Sequence, residues 1–210
     1  MDNHGLNYSR WQLGAKRLLD ILAAGILIII ISPVWLLIVL WIRRDSPGPA
    51  IFKQTRVGLG GQPYTIYKFR TMVQNAEQIT KTKLENVKDL DNFVFQEKGD
   101  SRITRSGRFL RKTSLDELPQ LINVLIGNMS LVGPRPEIPE IVKHYTLKQY
   151  KRLNMPPGIT GLAQVNGRGD LTLGETMDYD LQYVRDWSLW RDIEILWETV
   201  VVVFTGKGAY

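Results

Sequence analysis

ILAAGILIIIISPVWLLIVLWI, residues 21–42, runs for about twenty residues without a charge, the length an α-helix needs to cross the hydrocarbon core of a bilayer. A membrane element is expected here, and the rest of the chain must be arranged around it. The run is too long for a secretory leader, and no small-x-small cleavage site follows it. Two topologies fit, of which a plain spanning helix is the simpler. Against it, Ser32 and Pro33 sit mid-run. Proline has no N–H for the carbonyl of Ile29 and its ring clashes there, so a sharp kink is expected, with the serine hydroxyl free to satisfy a released carbonyl. Lys16 and Arg17 precede the run and Arg43 and Arg44 follow it, whereas a single crossing usually carries its basic bias on one side. The expected form is a re-entrant helix-break-helix within residues 1–45, broken at Ser32 and Pro33, with both ends on the cytoplasmic side.

Moving outward, Asp45-Ser-Pro-Gly-Pro49 is a turn cluster that marks the start of a catalytic or binding body, residues 46–210. Ala50–Gln54 and Tyr64–Phe69 alternate, with Gly58, Gly60 and Gly61 between them, and predict a β-hairpin. Met72–Lys88 is polar and helix-compatible, Leu118–Leu125 predicts an apolar helix ending near Gly127, and Ile138–Lys151 predicts another. Trp187, Leu189, Trp190, Ile193, Leu196, Trp197 and Val200 recur mostly at three- and four-residue steps, which predicts an amphipathic helix with tryptophans on its apolar face. That face suits either the core or the headgroup region of a bilayer. The fold class is α+β, mainly helical, with a small hairpin and interfacial helices.

The chain has 210 residues, enough for one domain with a core. Lys and Arg number 27 against 21 Asp and Glu, a net charge of +6 that favours phosphates or anionic lipid. With no cysteine, a disulfide framework, a thiolate metal site and a cysteine nucleophile are all excluded, and two histidines argue against zinc.

Residues 105–137, RSGRFLRKTSLDELPQLINVLIGNMSLVGPRPE, gather Arg105, Arg108, Arg111 and Lys112, the adjacent pair Asp116 and Glu117, and Arg135 between two prolines. Ser114-x-x-Glu117 also reads as a capping box, although Pro119 would then fall inside the first turn and remove an early backbone bond. Neighbouring helical residues diverge by about 100°, so Asp116 and Glu117 can serve two tasks around one centre. A carboxylate attacks phosphorus only if the phosphate charge is neutralised, which calls for Mg²⁺ on a hard oxygen and for arginines such as Arg111 and Arg135. Flanking prolines would hold the backbone under Arg135 in one conformation.

Taken together, these residues resemble the bacterial sugar transferases, the monotopic phosphoglycosyl transferases. The resemblance rests on Lys16-Arg-Leu-Leu-Asp20, Ser32-Pro33, Tyr67-Lys-Phe-Arg-Thr-Met72, Ser114-Leu-Asp-Glu-Leu118, Gly133-Pro-Arg-Pro136, Pro157-Gly-Ile-Thr-Gly161 and Ala163-Gln-Val-Asn-Gly-Arg168, all in order along nearly the whole chain. It implies that Asp116 attacks the sugar-bearing phosphate of a UDP-sugar and releases UMP, and that polyprenyl (undecaprenyl) phosphate then takes the phosphosugar from the aspartate. It implies Glu117 as the Mg²⁺ ligand, with Arg111, Arg135 and Lys68 around the phosphates and Gln164, Arg168 and Asp192 near the pocket. It also implies the re-entrant topology, and a bacterial inner-membrane enzyme with its body on the cytoplasmic face, serving glycan assembly. Pro156 and Leu162 depart from the pattern seen in similar proteins, and the chain reads as a minimal catalytic unit without the extra N-terminal helices of larger members. Two further classes compete: a non-catalytic basic membrane adaptor, and a nucleic-acid binder, for which no base-stacking motif exists. A homodimer through the apolar C-terminal face is compatible with the pattern.

Overall fold

The computed structural model describes residues 9–74, 76 and 100–205. Helix α1 (Arg10–Asp45) is one continuous element that runs through Pro33, where two helices with a break between them were expected. The Ser32 hydroxyl donates to the carbonyl of Ile29 at 2.9 Å, so the acceptor that proline leaves without an N–H is satisfied in place. Strands β1 (Ile51–Val57) and β2 (Pro63–Phe69) pair antiparallel, from Ile51 opposite Phe69 to Val57 opposite Pro63, a longer hairpin than the alternation alone predicts. A 3₁₀ turn at Leu59–Gly61 joins them, with Gly60 at φ 64° and Gly61 at φ 80°, a region that glycine enters without a Cβ penalty.

There follow α2 (Arg105–Thr113), a 3₁₀ turn at Leu115–Glu117, α3 (Gln120–Ile126), β3 (Ser130–Val132), α4 (Pro139–Val142), α5 (Leu147–Tyr150), β4 (Gly158–Thr160), α6 (Leu162–Asn166), α7 (Leu173–Arg185) and α8 (Leu189–Thr205). Strands β3 and β4 pair in parallel, Ser130 opposite Gly158 and Val132 opposite Thr160. The single helix expected over Ile138–Lys151 is instead α4, a break and α5. Thr146 restarts the chain as an N-cap, accepting from the Gln149 N–H while the Gln149 side chain reaches back to the Thr146 N–H. The helix expected over Met72–Lys88 falls mostly on residues outside those described.

Two apolar cores meet at Leu118, which packs against both. The larger collects Ala24 of α1, Ile66, Leu121, Val124, Tyr183 and Ile195, and the second sets Ile38 and Ile42 of α1 against Phe69 and Leu110. Each fully buried aliphatic or Phe side chain contributes about 1.5–3 kcal/mol, so α1 is held against the body along one face. Polar contacts add to this. Arg17 donates to the carbonyls of Val124 and Leu125 at 2.5 and 2.8 Å, capping the C-terminal end of α3, and Asp20 accepts from the Leu131 N–H at 3.0 Å. One face of α1 stays bare, with Ile29 75% and Ile30 66% exposed, while Ile28 and Ile31 beside them pack against the larger core. On α8 the tryptophan question divides: Trp187, just before the helix, and Ile195 are buried, whereas Trp190 and Trp197 are 68% and 70% exposed.

Candidate active site

Helix α2 sits directly on the backbone of residue 71. A Cβ on Gly107 would lie 2.1 Å from the Thr71 carbonyl oxygen, so only glycine permits the approach. The Thr104 N–H donates to that carbonyl at 3.0 Å, and the Arg111 Nε donates to the Thr71 hydroxyl at 3.0 Å, which fixes Arg111 one turn further on. The helix ends at Ser114, which takes a left-handed φ of 59°. Among the described residues, the non-glycine positions with positive φ are Ser114 and Arg168, and they touch: the Arg168 guanidinium donates to the Ser114 hydroxyl. Such conformations cost about 1–3 kcal/mol each and persist where surrounding contacts over-determine them.

That contact settles the capping-box question. The Ser114 side chain caps nothing, because its hydroxyl is engaged by Arg168 and the next α-helix begins only after Pro119. Asp116 and Glu117 therefore lie on a 3₁₀ turn, where side chains step by about 120° rather than the 100° of an α-helix. They still diverge, as expected.

Strand β2 supplies Lys68. Its position is set by Asn123, a fully buried amide in the apolar helix α3, which donates to the Thr65 carbonyl at 2.7 Å and accepts from the Tyr67 N–H at 3.0 Å. Lys68 Nζ then reaches Glu117 Oε1 at 2.9 Å, and Arg135 Nη1 approaches the same oxygen at 3.6 Å. Both cations approach the same oxygen, Oε1. Burial pushes the Asp116 carboxyl up, and the neighbouring Glu117 charge pushes it further, against the pull of Lys68, Arg111 and Arg135. For Glu117, burial acts in the same upward direction but Lys68 and Arg135 outweigh it, and the net shift is downward. The two carboxyls are thus differentiated: one firmly anionic and paired, the other the more basic of the two.

All of this lines a cavity of about 1060 Å³. Lys68, Arg111, Asp116, Glu117, Arg135, Gln164 and Arg168 all line it. Both polar atoms of the Gln164 amide and one Arg168 nitrogen are buried there without a hydrogen-bond partner among the described residues, so they are candidate recognition groups. The lining also includes apolar side chains, among them Leu27 and Ile31 of α1 and Leu196, Val202 and Val203 of α8. Asp192 is not brought to the cavity. It is buried elsewhere, paired with Lys16 at 2.6 Å and accepting from the Tyr183 hydroxyl at 2.7 Å and the Trp187 indole at 3.2 Å. Sequence reasoning missed Thr71 and Ser114 as positioning groups, and Arg56, which lines the cavity beside Lys68.

The model of the bacterial sugar transferase family matches residues 11–206. The chain belongs to that family. Its relatives include the "Galactosyl transferase CpsE" of Streptococcus agalactiae serotype III (strain NEM316), 46% identical over 203 residues, covering 96% of this chain and 45% of that protein. The "UDP-glucose:undecaprenyl-phosphate glucose-1-phosphate transferase" of Escherichia coli (strain K12) is 43% identical over 208 residues, covering 93% of this chain and 41% of that protein. A protein of the same printed name from Caulobacter vibrioides (strain ATCC 19089 / CIP 103742 / CB 15) is 44% identical over 203 residues, covering 93% of this chain and 72% of its own length. This family member thus spans less than half of the first two and nearly three quarters of the third.

Proposed function

We propose that this sugar transferase family member moves a sugar-1-phosphate from a UDP-sugar to a polyprenyl phosphate, through a phosphosugar ester on Asp116. One observation carries the proposal: a partly buried carboxylate pair beside Lys68, Arg111 and Arg135 lines a cavity that is also lined by apolar side chains, some of them from the long helix α1. A water-soluble donor and a lipid-tethered acceptor can visit such a site in turn. In the first step an Asp116 carboxylate oxygen bonds to the sugar-bearing phosphorus and the bond to UMP breaks. In the second a phosphate oxygen of the acceptor bonds to that phosphorus, and the carboxylate is released. Lys68, Arg111 and Arg135 neutralise the phosphates, with the planar guanidinium forks suited to bidentate binding.

Mg²⁺ fits this donor set. Among the described residues no group of three or more His, Cys, Asp or Glu could hold an ion alone, so a cation here would be held by Glu117 with phosphate oxygens and water, a habit of Mg²⁺ rather than of zinc. When bound, it would add positive charge against the phosphates.

The re-entrant topology is part of the same proposal. It is supported by α1 lying along one body, with Ala24, Ile28 and Ile31 on the larger core and Ile38 and Ile42 on the second, and with the opposite apolar face exposed. Exposed Trp190 and Trp197 suit the headgroup layer, and the body then faces the cytoplasm, where nucleotide sugars are found.

The test is UMP release by detergent-purified protein given undecaprenyl phosphate, Mg²⁺ and a panel of UDP-sugars. Asp116→Asn abolishes release and EDTA silences the wild type. With donor alone, the intact protein gains the mass of one phosphosugar. An active Asp116→Asn variant would refute the ester on Asp116, and a wild type that releases no UMP would return the protein to the rank of a basic membrane adaptor.

A further inference from the structure

Residues Gly133–Glu137 belong to neither a strand nor a helix, yet each carbonyl from Pro134 to Glu137 has its own donor. Pro134 accepts from the Gly158 N–H at 2.9 Å and Glu137 from the Val57 N–H at 2.9 Å. The two between them are served by arginine side chains: Arg135 O by Arg152 Nη2 at 2.6 Å, and Pro136 O by Arg56 Nη1 at 2.9 Å. Arg152 is 1% exposed and pairs with Asp180 of α7, which is wholly buried, and it also donates to the Tyr145 hydroxyl. Neither Arg152 nor Asp180 lines the cavity.

Stability alone is a weak reason for this pair, because well-packed apolar residues of the same volume often serve as well or better. What the pair does that apolar residues cannot is anchor the backbone of Arg135 from beneath. We propose that the Arg152–Asp180 pair positions Arg135, holding its main chain so that the guanidinium meets the phosphate beside Glu117. The inference rests on the transfer reaction proposed above. Pro134 and Pro136 restrict the loop's torsions, and Arg152 fixes where it sits. The sensitivity is high, since a misplacement of about 1 Å can cost a hundredfold in rate.

Two variants keep the proposal testable if one fails to fold. Arg152→Lys retains the charge opposite Asp180 but lacks the rigid fork that serves several acceptors together. Arg152→Met with Asp180→Leu removes both charges, so no unpaired ion is left buried. The expected result is a melting temperature near that of the wild type, faster hydrogen exchange at the Arg135 and Glu137 amides, and a loss of about tenfold or more in kcat/KM for the UDP-sugar. Adding Arg135→Ala to either background should cost little more, because both changes disable one group. Wild-type exchange and kcat/KM in the folded variants would overturn the proposal, as would an Arg135→Ala loss that multiplies in full. A wild-type protein that releases no UMP would refute the transfer reading instead, and the exchange measurement would still decide the positioning role.

Discussion

Replacing Asp192 by alanine separates a structural carboxylate from a substrate-binding one. The change leaves Lys16, whose side chain is 4% exposed, with the Val132 carbonyl at 2.9 Å as its remaining hydrogen-bond acceptor, and it takes a hydrogen bond from both Tyr183 and Trp187. Breaking a buried ion pair by removing one partner costs about 3–5 kcal/mol. For a chain of this size each kcal/mol moves the melting temperature by about 2–4 °C, which gives a fall of roughly 6–20 °C. Thermal unfolding in detergent reads the fall, and UMP release well below the transition reads the chemistry, which should be unchanged per folded molecule. Lys16→Met combined with Asp192→Leu should recover most of the loss, because no unpaired charge then remains. An Asp192→Ala protein that melts like the wild type but releases no UMP would refute this reasoning and return Asp192 to the substrate.

Gly107→Ala drives a methyl to 2.1 Å from the Thr71 carbonyl oxygen, so α2 must lift; a destabilisation of about 1–3 kcal/mol is expected, with a weaker grip on donor phosphate as Arg111 leaves Thr71. Denaturant melts and donor KM check it. Trp197→Glu removes an exposed indole from α8 and should lessen the quenching of tryptophan fluorescence by brominated lipid in liposomes while leaving the far-ultraviolet circular dichroism intact. The Arg102 side chain holds the Asp100 carboxyl down to about 2 from an ordinary 3.8. Because the folded value is the lower one, that pair's stabilisation is present above pH 3.8 and lost as the pH falls through about 2. Acid titration of unfolding should lose that dependence in Asp100→Asn.

What could be read in the sequence was local. The hairpin announced itself through alternation around glycines, and α3 through apolar spacing closed by Gly127, which takes φ 94°. The acidic pair and its arginines sit within one stretch of chain, and so were visible together. Helix α2 was not, because its buried residues are Ser106, Gly107 and Leu110, two of which carry no hydrophobic signal. The β3–β4 pair joins Ser130 to Gly158 through strands of three residues each, too short for a period to show. Asp192 illustrates the remaining gap: an acidic residue near a motif looks like a ligand until a lysine 176 residues away is found to own it. Asn123 makes the converse point, an amide in an apolar helix whose purpose appears only when β2 lies beside it.

The seam between α1 and the body has a consequence for how the protein is made. Asp45, the last residue of α1, accepts from the Ser106 N–H at 2.7 Å, while Arg70 grips the Ser46 and Pro47 carbonyls at 2.7 and 2.8 Å. Together with Ala24, Ile38 and Ile42, these contacts make the anchor an internal part of both cores. Ribosomal synthesis delivers α1 ahead of the segments that pack on it, so those segments find their template already made. Folding is accordingly ordered, and a version trimmed of α1 would forfeit the scaffold on which the remainder condenses.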